Sequence, residues 1–271
     1  MTARGVDDGS VSPVVHGERA DSVRPQLSIA GTAPLVQLGD GLDGLFALEA
    51  ASVSLILSDL PSGETAAAFD RAPHLPGFWL AVDHALKPSG VVVLMASSIR
   101  FASDVIASRP KWFRYDLVWE KSIATGFLNV RHRPLRNHEF ILVFGAGKDP
   151  AFAAQMLETG IPISRNGERG SRGSENYGTT RYSGGVARAG RTDRFPRSVL
   201  KFKSVHVRDP SRTHPQQKPV DLFRYLVRTY SEPGDLVADP YAGSGTTGHA
   251  CIAQGRRYAC WDSDPRFGVA P

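Results

Sequence analysis

The feature that most constrains the fold is a glycine-rich turn close to the end of the 271-residue chain. It reads Asp239-Pro240-Tyr241-Ala242-Gly243-Ser244-Gly245-Thr246-Thr247-Gly248, between the apolar run Leu236–Asp239 and a helical pattern from about Thr246 to Ala253. Glycines at such a turn permit positive φ angles and close approach of a ligand, and the first amides of the helix favour an electron-rich group. The turn predicts a nucleoside-type ligand, with a purely structural turn as the alternative.

The position of this turn predicts the order of the sheet. Twenty-three residues follow Gly248, too few for the remaining strands of a nucleotide-binding sheet, so those strands are expected upstream. There, apolar runs such as Val53–Leu57 and Val91–Met95 alternate with helical patterns. Such alternation predicts a largely parallel sheet covered by helices on both faces. A helix around Phe78–Leu86 is expected to end at the break Lys87-Pro88-Ser89-Gly90, and residues 160–212 show hardly any apolar periodicity.

Positive charge is concentrated in one segment. The chain has 32 Lys or Arg and 27 Asp or Glu, a formal net charge of +5. Residues 164–212 hold twelve of the basic and four of the acidic residues, so the segment carries 12 − 4 = +8 and the rest 5 − 8 = −3. A compact cationic segment indicates a polyanion such as nucleic acid, although a solvated arginine-rich loop explains the charge equally well.

The cysteines and the N-terminus exclude other classes of protein. Cys251 and Cys260 are too few and too close for a disulfide framework or a cysteine-based zinc cluster, so a reducing compartment and no metal site are expected. Residues 1–25 are polar and lack periodicity, which predicts a disordered leader. No apolar run suits a signal peptide or reaches the roughly 18 residues of a membrane span, which predicts a cytosolic protein.

A second strand end carries residues suited to chemistry. Ser58-Asp59-Leu60-Pro61-Ser62-Gly63 follows the run Val53–Leu57. Ligands of open α/β sheets gather at the carboxyl ends of the strands. Asp59 and the Asp239 turn are therefore expected to face the same crevice.

The order of these motifs resembles that of the DNA amino-methyltransferases, which use S-adenosylmethionine to methylate adenine N6 or cytosine N4. The chain is similar to the permuted, β-type group, in which an Asp-Pro-Pro-Tyr-type catalytic motif comes early and the cofactor motif late. The resemblance covers roughly residues 35–267. Its most specific parts are His214-Pro215-Gln216-Gln217-Lys218-Pro219, Pro233-Gly234-Asp235, the Asp239–Gly248 turn and Gly255-Arg256 leading to Asp262, with Trp119-Glu120-Lys121, Thr125-Gly126-Phe127-Leu128-Asn129, Arg133-Pro134-Leu135-Arg136 and His138-Glu139 before them.

This resemblance implies a site that binds S-adenosylmethionine, in an enzyme of the DNA-methylation and restriction–modification type. The residues it implies for cofactor binding are Asp40, His214, Gln217, Lys218, Pro219, Asp239, Pro240, Gly243, Ser244, Gly245, Thr246, Thr247 and Asp262. Asp262 would bind the ribose, whereas Asp40 is explained almost as well as a helix N-cap.

The same resemblance implies Asp59, Leu60, Pro61 and Ser62 as the catalytic turn. The Asp59 carboxylate and the Leu60 carbonyl would accept the two N–H bonds of an exocyclic amine, which localises the nitrogen lone pair toward the sulfonium methyl. Cytosine C5 methylation is disfavoured because it needs a cysteine that usually follows proline, and both cysteines here follow alanine.

Ser62 departs from the family pattern, which has an aromatic residue that stacks on the flipped base at this position. Loss of that platform is expected to cost about 1–3 kcal/mol, unless Phe69, Phe78, Trp79 or Phe127 replaces it. Adenine N6 is the favoured target, because the motif begins with Asp59 whereas cytosine N4 enzymes often have Ser at that position. N4-cytosine is the alternative. The rival functions are a catalytically weak DNA-binding protein that keeps the cofactor pocket and an amino-methyltransferase of RNA or protein.

The expected fold is a Rossmann-like methyltransferase α/β sheet, mostly parallel and circularly permuted in motif order, with a basic inserted target-recognition region. Its parts are the leader 1–25, a catalytic half at 26–150, the insertion at 151–212 and a cofactor-binding half at 213–271. The expected partners are double-stranded DNA and, in a homodimer, a second copy of the chain, without a membrane. The residues expected to contact DNA are Arg165, Arg169, Arg172, Arg181, Arg188, Arg191, Arg194 and Arg197.

Overall fold

The computed structural model describes residues 35–67, 70–148, 150–163 and 190–268. The expected leader lies outside these residues, as do Arg165, Arg169, Arg172, Arg181 and Arg188. None of the helices in the described part of the chain has the length and apolar character that a membrane crossing requires.

Most of the described strands join one central sheet. The strands are β1 (Gln37–Leu38), β2 (Val53–Asp59), β3 (Leu86–Ala96), β4 (Phe113–Thr125), β5 (Arg136–Gly145), β6 (Leu157–Glu158), β7 (Asp193–Arg194), β8 (Val199–Phe202), β9 (Leu236–Asp239) and β10 (Arg257–Asp262). The central sheet has the order β1-β10-β9-β2-β3-β5-β4-β8, and β6 pairs with β7 separately. Only β5 runs antiparallel to its neighbours in the described sheet, so the expected mostly parallel sheet is confirmed.

Helices cover both faces of this sheet, as the apolar strands predict. The helices are α1 (Gly41–Ala47), α2 (Leu75–Ala85), α3 (Ile99–Ser108), α4 (Val220–Tyr230) and α5 (Thr246–Ala253). Ile56 of β2 packs with α1, α2 and α3, whereas its neighbours Leu55 and Leu57 pack with α4 and α5 on the opposite face. Full burial of each such aliphatic side chain contributes about 1.5–3 kcal/mol, so β2 is a central element of both cores.

Three details differ from the sequence-based expectations. The strand β3 begins at Leu86, so the expected break at Lys87–Gly90 is instead an irregular strand start, with a register shift opposite Val53 and Leu55. The β4–β5 connection is a hairpin without a crossover helix, which makes β5 antiparallel. The segment expected to be a separate insertion contributes β8, which pairs in parallel with β4 and adds a strand to the central sheet.

The strand order brings the two motif-bearing strand ends together. The strands β10, β9 and β2 are parallel neighbours, and they end at Asp262, Asp239 and Asp59. Carboxyl ends of parallel strands meet at one edge of the sheet, where a ligand crevice forms. The three aspartates therefore belong to the same edge.

Candidate active site

A cavity of about 310 Å³ opens at this edge, a size within the roughly 300–1,000 Å³ of small-molecule sites. The predicted residues that line it are Asp59, Leu60 and Pro61 of the catalytic turn and Asp40, His214, Lys218, Asp239, Pro240, Gly243, Ser244, Thr246 and Asp262 of the cofactor set. Ser62, Gln217, Pro219, Gly245 and Thr247 lie outside this lining. The expected meeting of Asp59 and the Asp239 turn is therefore present.

Asp59 ends a chain of alternating charges that runs into the protein. Its Oδ2 lies 2.8 Å from Nζ of Lys218, which also lies 3.1 Å from Oε2 of Glu139. The other Glu139 oxygen, Oε1, accepts a hydrogen bond of 3.1 Å from Lys121. The side chains of Lys218, Glu139 and Lys121 are 8–10% exposed, against 28% for Asp59. Asp59 is thus the solvent-facing end of this ion-pair chain.

These contacts set the protonation of the chain. Burial raises the pKa of Asp59, Lys218 lowers it and Glu139 raises it, so it lies above its ordinary value. Burial also raises the pKa of Glu139, but Lys218 and Lys121 outweigh this and hold it below its usual range. The pKa of Lys218 is raised, because its two carboxylates outweigh the effect of burial. Lys218 is therefore a permanent cation between two acids.

Asp239 connects the catalytic strand to the glycine-rich turn. It is 2% exposed and accepts hydrogen bonds from the hydroxyl of Ser58, at 2.6 Å, and from the hydroxyl of Thr247. Its Oδ1 also accepts the N–H of Tyr241 at 3.1 Å. Burial outweighs these bonds and raises the pKa of Asp239 to about 7. This buried carboxyl fixes the end of β2 against the start of α5.

Two further acids shape the cavity wall. Asp262 accepts the N–H of Gly243 on Oδ2 at 2.8 Å and the N–H of Asp264 on Oδ1 at 2.8 Å. Asp40 caps α1 by accepting the N–H of Leu42 at 2.7 Å, so the helix-cap explanation of this residue is correct in structural terms. Because it also lines the cavity, capping and ligand contact are compatible.

The predicted residues outside the lining support the segments around it. Gln217 accepts the N–H of Thr213 at 2.7 Å and so folds its own loop, and Pro219 is the N-cap of α4. Gly245 has φ +76°, and a Cβ there would lie 2.6 Å from a methyl of Leu35, so this position requires glycine for packing and for backbone conformation.

The loop after the catalytic turn is held by Asp70. This carboxylate accepts the N–H of Gly63 and the N–H of Thr65, both at 2.8 Å, and the Ser62 hydroxyl lies 3.5 Å from its Oδ1. These bonds hold the pKa of Asp70 low although burial raises it. Ser62 therefore belongs to an ordered loop beside the cavity.

The aromatic residues proposed as substitutes for the missing platform have different positions. Phe78 and Trp79 are 0% and 3% exposed in the core and do not reach the cavity, Phe127 lies on the β4–β5 hairpin, and Phe69 lies outside the described residues. The aromatic side chains that do line the cavity are Phe223, Tyr241 and Phe267. The ring of His214 packs edge-on against that of Phe267, with 4.5 Å between centroids.

Several site residues had no assigned role in the sequence-based interpretation. The sequence motifs include Glu139 and Lys121 only as parts of segments similar to the family, and they do not include Asp70, Asp264, Arg266 or Phe267. Charged residues at the polar ends of otherwise apolar strands were the available signal for Glu139 and Lys121. Their ion pairs join positions 121 and 139 on neighbouring strands with position 218 just before α4, and only the tertiary fold brings the three together.

The described arginines of the predicted DNA-binding set lie mostly in local contacts. Arg191 makes a two-pronged bond to Asp193, at 2.7 and 2.9 Å, and Arg194 donates to the carbonyl of Ile161 at 2.8 Å. Arg197 is exposed. Arg191 and Arg194 thus stabilise the segment around β6 and β7.

Comparison with known proteins identifies the family. Residues 72–267 match the model of the N6/N4 methyltransferase family, which is described as DNA methylase. The chain belongs to the N6/N4 DNA methylase family. The sequence-based recognition of an amino-methyltransferase is thereby confirmed, and the match begins after the Asp59–Ser62 turn.

Individual relatives match parts of the chain. It is 42% identical over 66 residues to DNA adenine methyltransferase YhdJ of Escherichia coli (strain K12), covering 24% of this chain and 22% of that protein. It is 27% identical over 157 residues to Type II methyltransferase M.XycI of Xanthomonas campestris pv. cyanopsidis, covering 58% and 42%. The matches thus span less than half the length of these relatives.

Solved structures share the fold over most of the chain. The M1.HpyAVI–SAM complex superposes with a TM-score of 0.57 at 19% identity and covers 86% of this chain and 94% of its own. The cytosine-N4-specific PvuII DNA methyltransferase gives a TM-score of 0.61 at 16% identity, covering 88% and 86%. This likeness confirms the Rossmann-like methyltransferase fold.

Proposed function

We propose that the protein transfers a methyl group from S-adenosylmethionine to an exocyclic amine of a DNA base, with adenine N6 as the favoured target. The observation that carries the proposal is that Asp59 and Leu60 line the same cavity as the Asp239–Ser244 turn. Family membership supports the reaction class. With the Asp59 turn as the catalytic motif and the later turn as the cofactor motif, the motif order is permuted, which is part of the proposal.

The donor set of the cavity suits the cofactor. Its acidic lining residues are Asp40, Asp59, Asp70, Asp239, Asp262 and Asp264, and its cations are Lys218 and Arg266. An acidic wall suits a ligand with a sulfonium and an ammonium group, and the carboxylate of Asp262 suits ribose hydroxyls. S-adenosylmethionine supplies a methyl group bonded to a positively charged sulfur. The turn at Gly243 and the side chains of Asp40, His214 and Asp262 would hold it.

The catalytic turn acts on the amine. Since Oδ2 of Asp59 is paired with Lys218, Oδ1 is the oxygen that would accept one N–H bond, and the Leu60 carbonyl would accept the other. Two acceptors localise the nitrogen lone pair and favour in-line attack on the methyl carbon. The amine would lose one proton as the N–C bond forms and the bond between the methyl carbon and sulfur breaks, its electron pair remaining on a neutral thioether. The carboxylate of Asp59 is placed to receive that proton and pass it to solvent.

We propose that Lys218 positions Asp59 instead of contacting the methionine part of the cofactor. Its ammonium is bonded to Asp59 and Glu139, and its side chain is 10% exposed. A fixed cation at this place restrains the Asp59 carboxylate and keeps it ionised. Glu139 and Lys121 anchor the cation from the protein side.

The test is incorporation of labelled methyl from S-adenosylmethionine into unmethylated plasmid DNA by the purified full chain. We expect incorporation by the wild type, and a loss of at least roughly 10²-fold in Asp59→Ala, because one catalytic hydrogen-bonding group is removed. Asp104→Ala is the matched control, since Asp104 is an exposed acid on α3. Sequencing of the methylated DNA then identifies the base, and N4-methylcytosine would replace adenine as the target.

The second candidate is a DNA-binding protein with weak or no catalysis. Ser62 favours it, because this residue occupies the position where the family pattern has an aromatic residue and does not line the cavity. DNA binding and cofactor binding without any methyl incorporation would support it and contradict the enzyme. RNA and protein, offered in the same assay, test the remaining rival substrates. The target-recognition role of residues 151–212, a homodimer and a cytosolic location stay predictions.

A further inference from the structure

The β4–β5 hairpin carries an exposed apolar tip. It comprises residues 122–138 and includes a short 3₁₀ helix at Phe127–Asn129. Phe127 is 66% exposed and Leu128 is 99% exposed, and Val130 follows at 54%. Apolar side chains grouped at this exposure mark a contact surface more often than isolated ones do.

The charge of the hairpin favours one partner. No acidic residue lies between Lys121 and Glu139, whereas Arg131, Arg133 and Arg136 do. Arg131 and Arg133 are exposed beside the apolar tip. A surface that combines arginines with apolar tips complements a nucleic acid, because the arginines bind phosphates while an apolar side chain enters between bases.

The hairpin rises from the catalytic edge of the sheet. The last residue of β3, Ala96, pairs with Phe140, so residues 120–138 extend beyond the carboxyl end of β3. The ion pair between Lys121 and Glu139 lies at the hairpin base, and Glu139 is joined to Asp59 through Lys218. Beyond the Glu120–His138 pair, β4 bulges and pairs again at Thr125 with Arg136, so the ladder extends two further residues along β5, roughly 7 Å at about 3.3 Å per residue. The tip lies beyond this last pair and projects from the same edge of the sheet as the cavity.

The tip is also held in a fixed shape. Asn129 donates its N–H to the carbonyl of Gly126 at 3.0 Å, and Arg133 donates its N–H to Asn129 at 3.0 Å. Near the base, the Arg136 guanidinium donates to the carbonyl of Ser97, and the Ser122 hydroxyl accepts the N–H of Ser204 at 2.9 Å. A preorganised projection loses little conformational entropy on binding.

We propose that this hairpin is a DNA wedge, in which Leu128 and Phe127 enter the duplex beside the target base while Arg131 and Arg133 bind the adjacent phosphates. The proposal rests on the proposed function and names how its substrate docks. An enzyme that reacts at a base amine must extrude that base, and a side chain that fills the vacated space offsets part of the unstacking cost. The hairpin lies outside the basic segment 164–212 in sequence, although Ser204 of that segment bonds to its base, and it would contact DNA next to the chemistry.

The experiment compares two short duplexes that contain the methylated site found by sequencing. One is intact, and the other has an abasic nucleotide opposite the target base, so that extrusion no longer breaks a base pair. For Phe127→Ala/Leu128→Ala we expect about a ten-fold or greater loss of methylation rate on the intact duplex and a rate within about three-fold of wild type on the abasic duplex. Leu80→Ala, at a leucine on α2 that is 64% exposed, is the control and should match wild type on both duplexes.

Other outcomes would overturn the wedge. An unchanged rate on the intact duplex contradicts it, and so does an equal loss on both duplexes, which a structural role would give. Conversion of a dimer to a monomer by the double variant, with methylation unchanged, would assign the tip to a second copy of the chain. If the wild type transfers no methyl group to DNA, the proposed function fails. The docking surface is then judged by plasmid affinity, which Arg131→Ala/Arg133→Ala should lower by about ten-fold, and unchanged affinity would refute it.

Discussion

Lys218 lies where two carboxylates need a cation, and its removal tests how Asp59 is kept in place. In Lys218→Met we expect the methylation rate to fall by roughly 10²-fold or more, because misplacement of a reacting group by about 1 Å has that effect. Asp59 must be ionised to accept an N–H bond, so activity is present above its pKa and is lost as pH falls through it. Because Lys218 lowers the pKa of Asp59, the acid limb of the pH–rate profile should move to higher pH.

The controls for Lys218 separate position from cofactor binding. Lys218→Arg keeps the positive charge, so it should retain more activity than Lys218→Met and shift the acid limb of the pH–rate profile less. Lys201→Met is the surface control, because it removes a lysine whose ion pair with Glu120 is exposed. The other groups that face Asp59 are Glu139, Asp70 and Asp239, and all remain in these variants. Calorimetry should show unchanged cofactor affinity in Lys218→Met. Lost affinity with normal turnover at saturating cofactor would instead assign Lys218 to the cofactor.

Residue types in the pocket were predictable, but their partners were not. Asp59 and Asp239 follow apolar runs, so their meeting at one edge could be inferred from the parallel-sheet rule alone. The pairing of Lys218 with Glu139 depends on the antiparallel turn of β5, which places position 139 beside β3 instead of beyond a crossover helix. Local sequence patterns carry no information about that neighbour.

At the scale of elements, Asp239 joins β2, β9 and α5, and its protonation contributes a pH-dependent part of stability. Its pKa is about 7 in the folded protein and near 3.8 in the unfolded chain. Between these two pH values the folded protein binds more protons than the unfolded chain. The contribution of Asp239 to the free energy of unfolding is therefore full below about pH 4 and decreases by roughly 1.4 kcal/mol per pH unit up to pH 7.

Asp239→Asn removes that titration. The free energy of unfolding of wild type minus that of the variant should decrease as pH rises from about 4 to 7 and stay level above it. Urea unfolding at several pH values measures the difference, with Asp104→Asn as an exposed control. A difference independent of pH would show that Asp239 is ionised in the folded protein throughout this range.

The elements that sequence predicted best are those with strong apolar periodicity. The strand β9 and the helix α5 match the expected ranges at both ends, because a buried strand and a glycine turn define them. The strand β8 was missed because its four residues alternate exposed and buried sides on an edge strand, within a segment dominated by glycine and arginine. Its position depends on pairing with β4, and the indole of Trp119 donates to the Phe202 carbonyl at 3.0 Å to hold it.

At the scale of the whole molecule, charge is divided between two ligands of opposite character. Acids outnumber cations in the cavity wall, whereas residues 164–212 carry a net charge of +8 and the β4–β5 hairpin holds three arginines and no acid. Under the proposed function, the basic segments would bind DNA and the acidic cavity would bind the small cationic cofactor. The two ligands should respond differently to salt.

DNA affinity should fall steeply with salt, because each neutralised phosphate releases a counterion, and six to ten contacts lower affinity by about 10³–10⁵ between roughly 50 and 200 mM. Cofactor affinity should change little, since a small ligand in an enclosed site displaces no counterion layer. Fluorescence anisotropy with a labelled duplex and calorimetry with S-adenosylmethionine measure the two slopes. Substitution of Arg165, Arg169 and Arg172 by Gln should flatten the DNA slope, whereas Lys111→Gln, at the opposite edge of the sheet from Asp59, should not. DNA binding that is insensitive to salt would contradict a phosphate-directed role for the basic segment.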